Sequence, residues 1–304
     1  MTIDLKHDIW VEKYRPQKID DLILPNVYLD KFRKYIEKPS NILLSSVNPG
    51  TGKTSTAQAI IKEGNFESLY INASLESGID TMRSKILQFA STESFDGKPK
   101  IVLADEFDYF GQNGQAAARA LIEEVAANCR FILTCNYVSN IMPPIVNRFE
   151  VFDFDAVHAS NKQELVQKAF NLLKEILDNE KVSYTNEDLV NIIKNYYPSI
   201  RGMIACLQKC NFNNKLILDI QKDSDFEGLI NLIRSRDFDN LMKVIYGLTN
   251  PDAFYEYAFK KLDIQNPNKP QAIIILAKYQ YQSAFARDRN LNLAACIMEL
   301  APLL

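Results

Sequence analysis

The stretch "NPGTGKTST", residues 48–56, decides how this chain folds. It has the form of a phosphate-binding loop, but the full pattern G-x-x-x-x-G-K-[ST] asks for a glycine where the chain carries Val47. Gly50 and Gly52 would let the backbone turn its N–H groups toward phosphate oxygens, and Lys53 would add charge at the β/γ end. Thr54 would offer a hydroxyl to Mg2+. The competing reading is a Gly/Thr-rich turn that happens to hold a lysine. The absent glycine serves mainly turn geometry, for which Asn48-Pro49 offers an alternative.

The flanks favour the loop. "NILLSS" (41–46) is an apolar run entering it, and "KTSTAQAIIKEG" after it has helical spacing at Ala57, Ile60 and Ile61. "SLYINAS" (68–74), "KIVLADE" (100–106), "RFILTCN" (130–136) and "VFDFD" (151–155) read as further strands. Between them lie a helical stripe in "GIDTMRSKILQFA" (78–90) and the alanine-rich "GQAAARALIEEVAAN" (114–128). Short apolar strands alternating with helices predict an α/β fold, a parallel sheet covered on both faces. After about residue 156 the strand signals stop, and the rest reads as helices.

"IVLADEFD" ends a buried strand with Asp105 and Glu106, where a neighbouring strand of a nucleotide-binding sheet would place them beside the loop. Asp105 suits a Mg2+ site and Glu106 suits polarising an attacking water. Two carboxylates capping the next helix is the plainer alternative. It leaves unexplained why strand, loop and second strand all fit one template.

Composition narrows the rest. With 35 Lys+Arg against 38 Asp+Glu the net charge is −3, so any nucleic-acid role must use a local patch or patches summed over an assembly. No apolar run approaches the roughly 18 residues that cross a bilayer, and "MTIDLKHDIW" lacks a signal-peptide core, so the expected setting is cytoplasmic. Cys129, Cys135, Cys206, Cys210 and Cys296 form no C-x-x-C pair, which favours reduced, mostly buried thiols over a metal site.

"WVEKYRP" (10–16), "IDDLI" (19–23), "NPGTGKTS", "NASLESGIDTMR", "DEFD", "RFILTCN" and "PPIVNRF" (143–149) occur in the order found in AAA+ clamp-loader ATPases. The chain resembles the replication factor C small subunits and their tailed-phage counterparts. The resemblance implies ATP and Mg2+ as cofactors, with Val11, Glu12, Lys13, Tyr14 and Ile23 around the adenine and Gly50, Thr51, Gly52, Lys53, Thr54 and Ser55 around the phosphates. It makes Thr54 and Asp105 the metal residues, and Lys53, Glu106 and the sensor Asn136 catalytic. Arg148 matches the arginine finger that reaches a neighbouring subunit's γ-phosphate, although its flanks are Asn147 and Phe149 where the family has Ser-Arg-Cys.

Arg201 matches the sensor of the helical lid, in Pro-Ser-Ile-Arg where the family has Gly-Asp-x-Arg. Ser199 reads as an N-cap, which puts Arg201 in a first helical turn, where a nearby anion would offset the helix dipole. The resemblance further implies DNA contacts at Gly78, Ile79 and Arg83, a clamp contact at Phe95 within "FASTESFDG" (89–97), and a subunit-coupling role for Gln115. For each, core packing or an ordinary surface position is the alternative.

Three domains are expected: an ATPase core at 1–156, a helical lid at 157–222 and a helical collar at 223–304. The implied function is loading of a sliding clamp onto primer–template DNA, with ATP hydrolysis on release. The implied partners are the clamp, the DNA, and further copies of the chain with a smaller subunit in a pentameric ring, with no membrane. Another AAA+ machine (a helicase loader, initiator or branch-migration motor) and a structural, non-hydrolysing ring subunit are the rivals. No basic recognition helix follows the lid, and the Lys53, Thr54, Asp105, Glu106 and Asn136 set is intact.

Overall fold

Strand β1 (Ile42–Ser45) is buried at every residue and leads straight into the glycine loop. The computed structural model describes residues 9–74, 79–94, 97–218, 223–235, 237–248, 251–261 and 268–303. Gly78 and Phe95 lie outside the described residues, as does the side chain of Ile79. β1 is joined by β2 (Ser68–Asn72), β3 (Lys100–Asp105), β4 (Cys129–Cys135) and β5 (Glu150–Asp153) in one sheet of order β2-β3-β4-β1-β5. Every pairing is parallel, as the alternation of strands and helices predicts.

Because successive strand residues point to opposite faces, the sheet feeds two cores. Leu43, Val102, Phe131 and Leu133 face one of them and Ile42, Leu44, Ile101 and Ile132 the other. The first core is closed by α4 (Ile79–Ala90) and α5 (Gln112–Glu124), the second by α2 (Asn26–Glu37) and α3 (Lys53–Glu63). The short α1 (Trp10–Lys13) precedes them; α6 (Pro143–Val146) and α7 (Phe154–Ser160) flank β5. α8 (Lys162–Asn179), α9 (Asn186–Tyr196) and α10 (Ile200–Lys209) follow.

The segment after α10 reads as a polar stretch, yet it forms a hairpin of β6 (Asn211–Phe212) and β7 (Lys215–Leu216). Asn213 and Asn214 supply the turn at φ 50° and 57°, the left-handed geometry that two-residue hairpin loops need and asparagine tolerates.

The chain divides into two compact units, residues 1–217 and 218–304. The second holds α11 (Asp223–Ser235), α12 (Phe238–Tyr246), α13 (Ala253–Lys261), α14 (Lys269–Ser283) and α15 (Arg289–Leu300). It has its own core, including Phe226, Leu241, Phe254, Leu276 and Ile297. All five cysteines are free and four of them are buried. Among the described residues no helix is long and apolar enough to cross a membrane.

Candidate nucleotide site

The loop closes without its first glycine because nothing there needs one. Gly50 (φ +77°) and Gly52 (φ +105°) take the left-handed conformations, whereas Val47 is not among the residues of positive φ. The first turn is instead held by a carboxylate. Asp155, on α7, accepts hydrogen bonds from Ser46 Oγ (2.9 Å), Val47 N–H (2.6 Å) and Asn48 Nδ2 (2.8 Å). Burial alone would raise the Asp155 pKa; the bonds from Asn48, Val47 and Ser46 outweigh it and hold the carboxyl below its usual value. No local sequence signal marks Asp155, which is 108 residues from Val47.

Lys53 opens α3, and its ammonium donates to Ser46 O (2.8 Å) and Asn136 Oδ1 (3.1 Å). Burial pulls its pKa below that of an ordinary lysine, so the cation sits where it gains most from an added anion. Thr54 Oγ1 donates to Asp105 Oδ1 at 2.9 Å, and Tyr70 Oη donates to Asp105 Oδ2 at 3.1 Å. In the sheet β4 separates β3 from β1, and Thr134 of β4 bridges the gap by hydrogen-bonding Asp105 and accepting from Glu106 N–H at 3.0 Å. Glu106 is itself left-handed (φ 55°, ψ 41°), a conformation that is uncommon for residues other than glycine and concentrates at functional sites. Asp108 accepts from the N–H groups of Asn136 (3.0 Å) and Tyr137 (3.1 Å), fixing the turn that carries Asn136.

These groups meet in a cleft of about 1090 Å3 at the C-terminal ends of the strands, where open α/β sheets bind ligands. Val11, Lys13, Tyr14, Ile23, Gly50 to Ser55, Asp105, Glu106, Asn136 and Arg201 line it. Glu12 does not. Neighbours on one helical turn project about 100° apart, and the Glu12 carboxylate pairs with Arg15 (2.6 Å). Arg15 and Pro16 do line the cleft, with Lys168, Asn171 and Glu175 of α8, none of which sequence reasoning singled out. Lys13 Nζ and Tyr14 Oη both reach Glu180 Oε1 (2.6 and 2.7 Å), and Trp10 N–H reaches Gln208 Oε1 (2.9 Å). The N-terminal segment is thus tied to the ends of α8 and α10.

Ser199 is the N-cap of α10, accepting from Gly202 N–H at 3.2 Å, and Arg201 lies in the first turn, both as the sequence predicts. Arg201 N–H donates to Gly50 O (3.3 Å). A Cβ on Gly50 would stand 2.4 Å from Ser199 Oγ and 3.0 Å from Arg201 Cβ, so Gly50 also allows this close approach. Gly50→Ala combines a strained φ with that clash. It is expected to cost about 1–3 kcal/mol and to weaken nucleotide binding by tenfold or more, measurable by calorimetric titration of the purified variant.

The remaining predicted residues lie elsewhere. Arg148, after α6, hydrogen-bonds Glu123 and the Pro144 carbonyl and is absent from the cleft lining. Arg83 on α4 is half exposed and lies 3.5 Å from Glu124 of α5. Taken alone Gln115 reads as a surface glutamine, and the structure corrects this: it is 2% exposed. Its Nε2 donates to Phe110 O (2.8 Å) and Asn140 O (2.9 Å), and its Oε1 accepts from Met142 N–H (2.8 Å). A buried amide must find partners for all its hydrogen-bonding groups, and these are offered by the chain entering α5 and the chain entering α6.

The chain matches the family described as ATPase family associated with various cellular activities (AAA) over residues 43–154. It is 31% identical over 256 residues to the sliding-clamp-loader large subunit of Escherichia phage RB69, covering 83% of this chain and 77% of that one. It is 29% identical to the Enterobacteria phage T4 protein of the same name, over 99% of this chain and 98% of that protein. The replication factor C small subunit of Archaeoglobus fulgidus is 32% identical over 97% of this chain and 98% of its own. In fold it is similar to the Thermotoga maritima RuvB Holliday junction branch migration motor (TM-score 0.52, 14% identity, 74% of this chain and 80% of that one). The chain belongs to the clamp-loader family of AAA+ ATPases. It is a nucleotide-binding protein and an ATPase.

Proposed function

We infer that this chain is an ATP-driven sliding-clamp-loader subunit of DNA replication, and that the cleft between strands and helices is its ATP site. The observation that carries the reading is a division of labour in space. Phosphate loop, Asp105, Glu106 and Asn136 share one cleft, while Arg148, the arginine finger by resemblance, lies outside its lining. A site complete except for its finger fits a ring in which each subunit finishes its neighbour's site. The relatives that align along nearly the whole chain, a sliding-clamp-loader large subunit and a replication factor C small subunit, support the same role.

In this reading Val11, Lys13, Tyr14 and Ile23 hold the adenine, Lys53 and the loop N–H groups hold the phosphates, and Arg201 adds charge from residues 157–222, acting as a lid. Glu106 takes the proton of the attacking water and Asn136 orients that water. Thr54 and Asp105 would hold Mg2+, which when bound neutralises charge developing on the phosphates. Their hydroxyl and carboxylate oxygens are the hard donors that Mg2+ takes alongside substrate phosphates and water.

Residues 223–304 serve as the collar through which copies of the chain, and a smaller subunit, form a pentameric ring. The partners are a sliding clamp, contacted through Phe95, and primer–template DNA, contacted through Gly78, Ile79 and Arg83, with Gln115 coupling the subunits. ATP turnover by the assembly with and without primed DNA and clamp tests the reading. Stimulation by both together supports clamp loading; stimulation by DNA alone points to another AAA+ machine, and no turnover to a structural subunit.

The role of Arg83 at the DNA has its own test. Arg83→Ala is expected to weaken binding of the ATP-bound assembly to primed DNA equally for every sequence. The slope of log affinity against log salt should become shallower by about 0.9 for each phosphate that is no longer neutralised. An unchanged slope with intact DNA-stimulated turnover would leave Arg83 as the Glu124 partner alone.

A further inference from the structure

Two side chains on α7 reach two different neighbours, the first turn of the phosphate loop and the corner between α9 and α10. Asp155 grips the first turn of the phosphate loop through Ser46, Val47 and Asn48. His158 stands three residues on, a spacing that sets both on one side of the helix. It is 2% exposed, and its Nδ1 lies 2.9 Å from Tyr197 Oη, which also stands 3.2 Å from the His158 carbonyl oxygen. The two rings meet edge to face with centroids 5.3 Å apart. Burial holds the His158 imidazole below its ordinary pKa, against the Thr51 backbone and the Asp155 carboxylate, which favour the charged form.

α7 has little freedom of its own. Asp153 caps it by accepting from the N–H groups of Asp155 (2.9 Å) and Ala156 (3.1 Å), and Phe154 and Val157 are buried in the sheet's second core. Tyr197 ends α9 and stands two residues before Ser199, which opens α10. The same corner, Tyr197 to Arg201, therefore touches the phosphate loop twice. It does so directly at Gly50, through Arg201 N–H and Ser199, and indirectly at residues 46–48, through His158 and Asp155.

We propose that α7 links the seating of the lid corner to the shape of the phosphate loop, with Asp155 and His158 as its positioning residues and Tyr197 as the lid's handle. The link lets one binding event set loop and lid together. It rests on reading the cleft as the ATP site.

A double-mutant cycle tests it, because α7 carries both Asp155 and His158, the partner of Tyr197. Asp155→Asn and Tyr197→Phe, each keeping its side chain's size, are made singly and together in the full chain. Affinity for a non-hydrolysable ATP analogue is measured by titration, and KM and kcat are measured on the assembly. Each single change is expected to weaken binding about fivefold or more, with KM rising by more than kcat falls. The double variant is expected to bind no more than about twofold worse than the weaker single, because the second change breaks a link already broken.

Multiplying effects would make the two residues independent and overturn the proposal, as would a single variant that binds like the parent. Tyr184→Phe, which removes another tyrosine bond (to Asp178, 2.9 Å) from the helices after β5, should leave affinity unchanged. A loss there equal to that of Tyr197→Phe would mean general softening of the helices and would overturn the link. Lys53→Ala separates the two readings: analogue affinity that survives it sinks the ATP site itself, whereas its loss with additive α7 variants sinks only the link.

Discussion

Glu106→Gln is expected to stop ATP turnover while leaving ATP bound, and Lys53→Ala to abolish binding. The two side chains stand in one cleft but offer different things to a nucleotide. The Lys53 ammonium is a partly buried cation holding only Ser46 O and Asn136 Oδ1, and phosphate oxygens would replace those partners with charged ones. Each hydrogen bond to a charged group contributes about 1.5–3 kcal/mol, so losing two or more removes several orders of magnitude in affinity. Glu106 makes no such contact in the ground state. Its carboxylate takes a proton only as water attacks, and removing a positioned base typically costs about 10²–10⁴ in rate. Glutamine keeps the shape and suits the same left-handed backbone about as well. Titration of a labelled nucleotide and single-turnover hydrolysis separate the two outcomes; equal loss of affinity in both variants would mean the roles are misassigned.

Arg148→Ala is expected to lower turnover of the assembly by about 10³ and to leave ATP affinity of the isolated chain unchanged. The structure adds a competitor. In the single chain the guanidinium is held by Glu123 and the Pro144 carbonyl, and Arg119 also approaches Glu123, at 3.7 Å. Magnitudes decide which partner wins. A partly exposed ion pair contributes about 0–1 kcal/mol, whereas a factor of 10³ in rate is about 4 kcal/mol of transition-state stabilisation. Glu123 can therefore park the arginine without withholding it. Glu123→Ala should leave turnover of the assembly within about twofold of the parent, and a monomer should be a poor ATPase even unmutated. Monomers as fast as the assembly would return Arg148 to an ordinary surface role.

What was legible in the sequence was local. β1, β3 and β4 are nearly continuous apolar runs because helices cover both faces, and Gly50 and Gly52 stand where the backbone needs positive φ. The Ser199 cap declares itself by residue type and place. What was not legible depends on partners far apart in sequence. Thr134 and Tyr70 reach Asp105 only because β2, β3 and β4 align in register, and Asp155 reaches Val47 only because β5 pairs with β1. The face that Glu12 takes was not legible for a different reason, since a helix of four residues is too short to announce which side faces a ligand. The Asn213-Asn214 turn carried a readable signal, but without apolar alternation around it the segment read only as a polar stretch.

Gln115 commits both amide hydrogens and its oxygen to three backbone groups on two segments distant in sequence. Few side chains can answer that pattern. Glutamate would set an oxygen against two carbonyls, asparagine would fall a methylene short, and histidine, leucine, lysine, arginine and proline cannot accept and donate twice over in that space. Those last five, together with glutamate, are what single-base changes of a glutamine codon mostly produce. The position is therefore walled off in mutational space: almost any first step away from Gln115 leaves buried polar groups unpaired. Substitutions at Phe110, Asn140 or Met142 offer no easy compensation, because the groups left unpaired there are backbone carbonyls and an N–H.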